Sequence, residues 1–395
     1  AAMVLARMHG ARTLLGTATP SVETYWKALG GKFGLVELTS RYGDVSLPRI
    51  EVVDMLEARK AKATRGALGL RTIKLIRESI SRGSQAIIFQ NRRGYAPVAR
   101  CKQCAWTPRC SACDVALTYH QAIRQLQCHY CGALYPLPKV CPQCKEPAIE
   151  VLGYGTERVE EELAEVFPEA KTLRMDLDST RNKDSYEKII DDFSRRKASL
   201  LVGTQMVSKG LDFEGVETVA VVSADTLINF PDFRAAERAF NMLEQVSGRA
   251  GRREGTPGRV VIQTSQPGHP VLGFVKAHDY EGFYNYEIEE RRRYFYPPFS
   301  RVVNIYLKHR DQAALRGIAQ RYADYLRQLL GNRVYGPKVP TVGRVQNLYI
   351  RNIMLKIEPD ASMAKVKELL RDTYIRLHSL PDMKTTVVYY DVDPQ

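Results

Sequence analysis

Every cysteine of the chain falls between 101 and 144, and all eight are spaced as Cys-x-x-Cys pairs: Cys101/Cys104, Cys110/Cys113, Cys128/Cys131 and Cys141/Cys144. Two thiolates separated by two residues on a tight turn can face one metal, and two such pairs complete a tetrahedron. Residues 100–150 also carry Pro and Gly and show no long helical or strand period. Order in this window must therefore come from metal rather than from an apolar core. A disulfide framework is one competing use of eight cysteines, but their confinement to one window of an otherwise cysteine-free chain argues against it. Iron–sulfur ligation is the other. The pattern favours two closed four-cysteine zinc sites, structural rather than hydrolytic because every protein ligand is a thiolate. Four pairs combine into two sites in three ways, and spacing does not choose among them. His120 and His129 lie nearby and are not needed as ligands.

The window interrupts a different pattern. From 67 to 260 short apolar runs alternate with segments of helical period: helix 68–83, strand 85–90, then after the cysteines strand 149–154, helix 157–167, strand 170–175, helix 183–195, strands 199–204 and 218–224, helix 233–248 and strand 258–265. Such alternation predicts a parallel sheet covered on both faces. Ligands of such sheets sit beyond the carboxyl ends of the strands, which directs attention to the loops after "LLV" and "SAD". Residues 33–38 and 48–55 read only as short extended pieces ahead of the sheet. From about 296 the order becomes β-α-β-β-α-β, the pattern of a ferredoxin-like α/β sandwich.

Two polar motifs carry phosphate chemistry. "GTQMVSKGLDF" at 203–213 leaves a buried strand through Gly203 into Thr204, Gln205, Lys209, Gly210 and Asp212. Such a turn presents backbone N–H groups and side-chain donors to phosphates; a polar loop without function has the same look. "QVSGRAGR" at 245–252 places Gln245, Arg249 and Arg252 at a helix end. Basic residues there would also offset the helix macrodipole, but that explains neither Gln245 nor the two glycines. Paired arginines can instead stabilise a transferring phosphoryl group. The loop that would hold the nucleotide, G-x-x-x-x-G-K-[ST], is nowhere in the chain; "LGGKFG" at 29–34 has Phe after Lys, and no Asp is followed by Glu.

The charge agrees with a polyanionic partner: 58 Lys+Arg against 44 Asp+Glu give +14, with a pI near 9.3, the footprint expected of a nucleic-acid binder. No apolar run reaches the roughly 18 residues of a membrane span.

Taken in order, "LLGTATPS" at 14–21, "IIFQNRRGYAP" at 87–97, "GTQMVSKGLDF" and "QVSGRAGR" are similar to motifs of superfamily 2 DNA helicases. The inserted cysteine module and "YPPF" at 296–299 narrow the resemblance to the primosomal replication-restart helicases. The resemblance implies a RecA-like parallel-sheet lobe, an inserted zinc module and a ferredoxin-like C-terminal domain. It implies ATP-driven 3′-to-5′ unwinding of branched DNA at stalled forks, and initiation of primosome assembly. By the same resemblance Thr17, Ala18 and Thr19 couple hydrolysis to DNA movement. Asn91, Arg92 and Arg93 lie near the DNA backbone. Thr204, Gln205 and Lys209 touch DNA, while Gly210 and Asp212 approach the nucleotide. Gln245, Arg249 and Arg252 act on its γ-phosphate, Arg252 foremost.

The family also groups the outer pairs (Cys101, Cys104, Cys141, Cys144) on one zinc and the inner pairs (Cys110, Cys113, Cys128, Cys131) on a second. Its cofactors are two zinc ions, ATP and Mg2+. Its partners are single-stranded and branched DNA, a single-stranded-DNA-binding protein and other primosome proteins, in the bacterial cytoplasm with the nucleoid. The expected organisation is the tail of lobe 1 at 1–30, lobe 2 at 31–99 and 151–294, the two-zinc module at 100–150, and a DNA-binding domain at 295–395. The chain thus reads as a piece of a longer protein, with no ATPase of its own. A zinc-bearing docking module without catalysis is the alternative.

Three smaller features complete the reading. Thr156 is expected to cap a helix with Glu157 and Glu160 in its first turn. Tyr296–Phe299 is expected to pack a domain junction. Arg321, Tyr325, Arg327, Arg344, Tyr349, Arg351 and Lys356 interleave cations and aromatics as single-stranded-DNA surfaces do.

Overall fold

The structure, a computed structural model, describes residues 2–394 apart from 39–45, 91–97, 102, 105, 113–114, 121–122, 129–130, 132, 153–155, 177–178, 181–182, 209–212, 231 and 253–256. Helices α1 (Ala2–Met8) and α2 (Val22–Leu29) lead into β1 (Arg49–Asp54), α3 (Met55–Lys60), the hairpin β2–β3 (Thr64–Arg65, Leu68–Gly69), α4 (Leu70–Ser81) and β4 (Gln85–Phe89). Caps set two of these starts. The Ser21 hydroxyl accepts from Thr24 N–H to open α2, and Asp54 accepts from the N–H groups of Leu56 and Glu57 to open α3.

The cysteine window follows β4. A stem of β5 (Val98–Cys101) and β9 (Ile149–Leu152), paired antiparallel, brackets a three-stranded meander of β6 (Thr118–His120), β7 (Gln125–Gln127) and β8 (Leu134–Pro136). The chain then resumes with α5 (Thr156–Val166), β10 (Thr172–Met175), α6 (Lys183–Ser194), β11 (Leu200–Gly203), β12 (Val216–Val221), α7 (Asp225–Ile228), α8 (Ala235–Ser247), β13 (Arg259–Thr264), α9 (Pro270–Ala277) and α10 (Tyr280–Arg293).

Six of these strands form one parallel sheet in the order β1-β13-β12-β4-β11-β10. Strand periodicity divides its residues between two faces. Ile87, Phe89, Leu201, Val219, Val221, Val260 and Ile262 enter one core with Phe240 and Leu243 of α8 and Phe283 of α10. Ala86, Ile88, Leu200, Val202, Ala220 and Val261 enter the other with Ile73 and Ile76 of α4 and Val159 and Leu163 of α5. Burial on both faces explains why these strands read as continuous apolar runs rather than as alternation.

Four details depart from the sequence reading. Residues 49–54 are a full edge strand, paired with β13 along its whole length. Among the described residues, 33–38 form no strand; Leu35, Val36 and Leu38 are exposed. Helices α9 and α10 were not anticipated. Thr156 is the first residue of α5, and its hydroxyl donates to Asp176 Oδ2 at 2.5 Å rather than capping the helix.

The last part comprises β14 (Arg301–His309), α11 (Gln312–Leu330), β15 (Val334–Lys338), β16 (Arg344–Val345), β17 (Leu348–Ile357), α12 (Met363–His378) and β18 (Val387–Val392). Strand order β15-β17-β14-β18 is antiparallel throughout, the expected split arrangement. Leu315, Ile318, Tyr322 and Leu326 of α11 pack on Val303, Ile305 and Leu307 of β14.

The "YPPF" segment joins the two sheets, as expected. Tyr296 stacks on Phe233 at 4.4 Å, Phe299 meets Trp26 at 6.0 Å, and Lys356 Nζ lies 3.5 Å over the Tyr296 ring. Lys356 is therefore buried at the junction and shares no stripe with the other cations. Arg327 is likewise engaged, with Asp324 and the Gly336 carbonyl.

Candidate metal centres and the helix between the phosphate motifs

Each cysteine pair is built on the same turn. The N–H groups of Cys101, Cys110, Cys128 and Cys141 donate to the carbonyls of Trp106, Val115, Ala133 and Glu146, five residues on in every case. The turn aims both thiols of a pair to one side. The Sγ atoms of Cys101, Cys104, Cys141 and Cys144 converge within 4.8 Å of one another, as do those of Cys110, Cys128 and Cys131. Cys113 lies outside the described residues. Close pairs are Cys101–Cys144 at 3.5 Å, Cys104–Cys141 at 3.6 Å and Cys110–Cys131 at 3.7 Å. Zn–S bonds of about 2.3 Å set tetrahedral sulfurs about 3.8 Å apart, whereas a disulfide needs about 2.05 Å. The thiols fit zinc, and none of the seven described cysteines is in a disulfide. Spatial convergence thus selects the nested grouping that spacing left open.

The inner cluster has a polar neighbour that the sequence did not disclose. The Tyr135 hydroxyl lies 3.3 Å from Cys110 Sγ and accepts from Ser111 N–H at 3.1 Å. Burial pushes the Cys110 thiol up, but the Tyr135 hydroxyl, the Ala112 N–H and the neighbouring thiols bring it down to about 6.

The segment that follows Thr17–Thr19 and the arginine turn lie at opposite ends of α8. At its start, Val22 N–H donates to Glu237 Oε1 at 2.9 Å, and the Tyr280 hydroxyl donates to the Pro20 carbonyl at 2.9 Å. These bonds hold Val22 against α8 and Pro20 against α10, just past Thr17 and Thr19. At its far end, Gly248 caps the helix and Gly251 takes φ +67°, giving its N–H to the Val216 carbonyl at 2.9 Å. Gly258 passes so near that a Cβ there would sit 2.6 Å from the Ala250 carbonyl carbon. The turn bearing Arg249 and Arg252 is therefore pinned beside the start of β12. Arg252 Nε–H donates to the Gly248 carbonyl at 3.0 Å, and Gln245 is exposed. Thirteen residues of helix separate the two ends by about 20 Å.

This placement corrects the expectation that ligand groups gather beyond the carboxyl ends of the strands. Thr204 and Gln205 do sit there, at the end of β11. Gly203 is needed because a Cβ would run into the Val207 side chain and the Met175 carbonyl. The arginine turn is at the amino edge instead, because a helix following a parallel strand must return the chain to that edge. The stretch from 204 to 216 crosses the sheet between the edges. Its central residues Lys209, Gly210 and Asp212, and likewise Asn91, Arg92 and Arg93, lie outside the described residues.

A buried charge cluster holds the start of α8, and the sequence analysis missed it. Arg291, with 2% of its side chain exposed, bonds Glu237 at 2.8 Å, Glu287 at 2.8 Å and Glu23 at 3.1 Å. Arg234 bonds Glu23 and Glu237 and donates to the Pro394 carbonyl. Three carboxylates thus face two guanidiniums. Burial pushes Glu237 up, but Arg291, the Val22 N–H and Arg234 outweigh it and hold it below the ordinary range. Glu287 is the surplus charge; burial pushes it up to about 7, against the pull of Arg291.

A folded-state value above the ordinary 4.5 means that Glu287 binds its proton more tightly when folded. Its cost to stability is then present above about pH 7 and relieved as pH falls toward 4.5. Glu287→Gln should therefore raise urea stability relative to the parent more at about pH 8 than at about pH 5. An equal difference at both pH values would refute the assignment.

Comparison with known proteins agrees with this arrangement. Residues 110–136 match the family model for the PriA DNA helicase Cys-rich region, 145–254 the helicase conserved C-terminal domain, and 292–395 the primosomal protein N C-terminal domain. The protein named replication restart protein PriA of Bacillus subtilis is 37% identical over 391 residues, covering 98% of this chain and 48% of that protein. The Synechocystis protein of the same name is 36% identical, covering 96% and 46%. That of Chlamydia pneumoniae is 37% identical over 304 residues, covering 76% and 40%. The chain spans about half the length of the curated relatives it matches. With helicase, Cys-rich and primosomal C-terminal matches in one order, the chain is similar over nearly its whole length to the PriA proteins.

Proposed function

We propose that this chain supplies the second motor lobe, zinc module and C-terminal domain of an ATP-dependent 3′-to-5′ DNA helicase. The enzyme would unwind branched DNA at stalled forks and start primosome assembly, meeting a single-stranded-DNA-binding protein and other primosome proteins. The proposed organisation is a lobe 1 tail at 1–30, lobe 2 at 31–99 and 151–294, the module at 100–150 and the DNA-binding domain at 295–395. The observation that carries the reading is α8, with Val22, just past Thr17–Thr19, bonded at one end and the Arg249–Arg252 turn pinned at the other.

In this reading Gln245, Arg249 and Arg252 would meet the γ-phosphate of ATP, and Mg2+ would help to neutralise the charge that develops there. The donors present, guanidinium and amide, suit phosphoryl oxygens. They make only the sensing half of a pocket. Thr17 and Thr19 transmit the state of that pocket to DNA, as do Gly210 and Asp212. Asn91, Arg92, Arg93, Thr204, Gln205 and Lys209 hold the DNA backbone. Two zinc ions are proposed, the second completed by Cys113.

A docking module without catalysis is the second reading, favoured by the absence of a nucleotide-binding loop from the sequence. ATPase assays separate the two. The chain by itself should hydrolyse ATP no faster than background yet bind DNA, with an affinity that falls steeply with salt as counterions are released. Joined to a complete first lobe, it should gain DNA-stimulated turnover. No gain would favour the docking module, and a flat salt profile would make the +14 charge incidental.

A further inference from the structure

One groove of the last domain brings Tyr349 and Arg351 of the cation–aromatic pattern together with Arg310 and Arg316, which the sequence reading did not single out. The turn from β14 into α11 and the hairpin β16–β17 enclose a cavity of about 790 Å3 lined by Arg310, Gln312, Arg316, Tyr349 and Arg351, with Asp311 at its floor. Neighbouring arginines of the domain are engaged: Arg301 with Asp393, Arg333 with Glu358, and Arg376 with the Tyr325 hydroxyl. Among the described residues, Arg310, Arg316 and Arg351 have neither an ion-pair nor a hydrogen-bond partner. Asp311 is committed elsewhere. Its Oδ1 accepts the N–H groups of Ala313 and Ala314, and these bonds hold its carboxyl below the ordinary range. Arg344 lies 5.6 Å over the Tyr349 ring and adds a further cation at the rim.

Like charges left unpaired around one cavity repel until an anion enters. Guanidinium forks select phosphate. The groove is open and far larger than one phosphate, and an aromatic ring lines it among the cations, an arrangement suited to a strand with bases.

The hairpin wall is itself held from outside the domain. Gln346 and Asn347 both take left-handed φ, +51° and +62°, in the two-residue turn. Asn347 N–H donates to the Ala112 carbonyl at 2.7 Å, between the inner ligands Cys110 and Cys113. Val345 packs on the cluster that contains Cys110 and Cys128. A wall of the groove thus rests on the inner metal knuckle.

We propose that this groove binds the sugar–phosphate backbone of single-stranded DNA through Arg310, Arg316 and Arg351, and that the inner metal centre positions its hairpin wall. The proposal rests on the DNA-binding reading above and names a place for it. The test uses an oligothymidylate and fluorescence anisotropy across a salt series, with the chain in its metal-loaded form. Arg316→Gln and Arg351→Gln should each weaken binding roughly tenfold and lower the log–log salt slope by roughly 0.7, the value for one phosphate of a single strand. Arg371→Gln on α12, paired with Asp372 and outside the groove, should change neither.

Cys110→Ser should release the inner metal, weaken binding to a similar degree, and add little in combination with Arg316→Gln, since both act on one site. Thermal unfolding of the arginine variants should match the parent, because the side chains replaced make no folded-state bond. Full parental binding by both arginine variants would overturn the groove while leaving the DNA reading intact. Failure of the parent chain to bind DNA would overturn that reading and the groove with it. Additive losses for Cys110→Ser and Arg316→Gln would overturn the link to the metal. Competition by a polyglutamate peptide that depends on Arg316 and Arg351, with DNA binding unaltered, would reassign the groove to an acidic protein tail.

Discussion

Replacing Arg252 with alanine, in a protein that joins this chain to a complete first lobe, is expected to lower DNA-stimulated ATP turnover by about 10³–10⁵-fold and leave DNA affinity unchanged. The size follows from the role. A guanidinium at the γ-phosphate acts where charge develops in the transition state, so its loss falls on turnover rather than on DNA binding. Structural damage would be small by comparison. The Arg252 Nε–H bond to the Gly248 carbonyl is of a kind worth about 1 kcal/mol, and the turn stays pinned by Gly251 N–H on Val216. Arg252→Lys keeps the charge and loses the fork, so it should recover little activity. Steady-state ATPase at saturating DNA, with anisotropy on the same samples, checks the result. Turnover within a few-fold of the parent would remove Arg252 from the nucleotide site.

The second large effect is metal removal. Apparent binding energies of about 10–16 kcal/mol per structural zinc match or exceed the roughly 5–15 kcal/mol that stabilises a whole domain. The apolar cluster of the module is small, with Ala99, Leu117 and Leu126 beside two of the cysteines, and cannot replace that energy. A strong chelator should therefore unfold residues 100–150 while the parallel sheet, with two cores of its own, persists. Limited proteolysis should cut within the module only after chelation, and metal analysis of the parent should return two zinc ions per chain. Cys141→Ala should leave one. A module that resists protease after complete metal removal, or a parent holding a single zinc, would refute the paired-centre reading.

Local pattern made much of this legible in the sequence. The strands β4, β11, β12 and β13 announced themselves because burial on both faces puts a run of consecutive apolar residues in each. The last domain was equally plain, since α11 shows one stripe from Leu315 to Leu326 over its sheet. What stayed hidden depends on distant partners. Glu237 bonds Val22 across 215 residues and Arg291 across 54, and no period in the chain marks such pairs. β1 read only as an extended piece outside the sheet, because an edge strand has fewer buried positions. Spacing left the pairing of cysteines open; the resemblance implied the nested grouping, and convergence in space agrees with it. The amino-edge position of the arginines followed from topology, which a list of strands and helices does not encode.

The stem of β5 and β9 has a consequence for how this protein tolerates change. Ala99 faces Val151 and Cys101 faces Ile149, so the chain leaves and rejoins the lobe through neighbouring positions. To the parallel sheet, everything between those strands is one closed loop whose ends are already tied. Closure entropy grows only logarithmically with the number of residues beyond such a knot, about 0.6 kcal/mol per doubling. Segments between the knuckles can therefore lengthen or shorten over evolutionary time at almost no thermodynamic expense to the motor, provided the stem and the thiols remain.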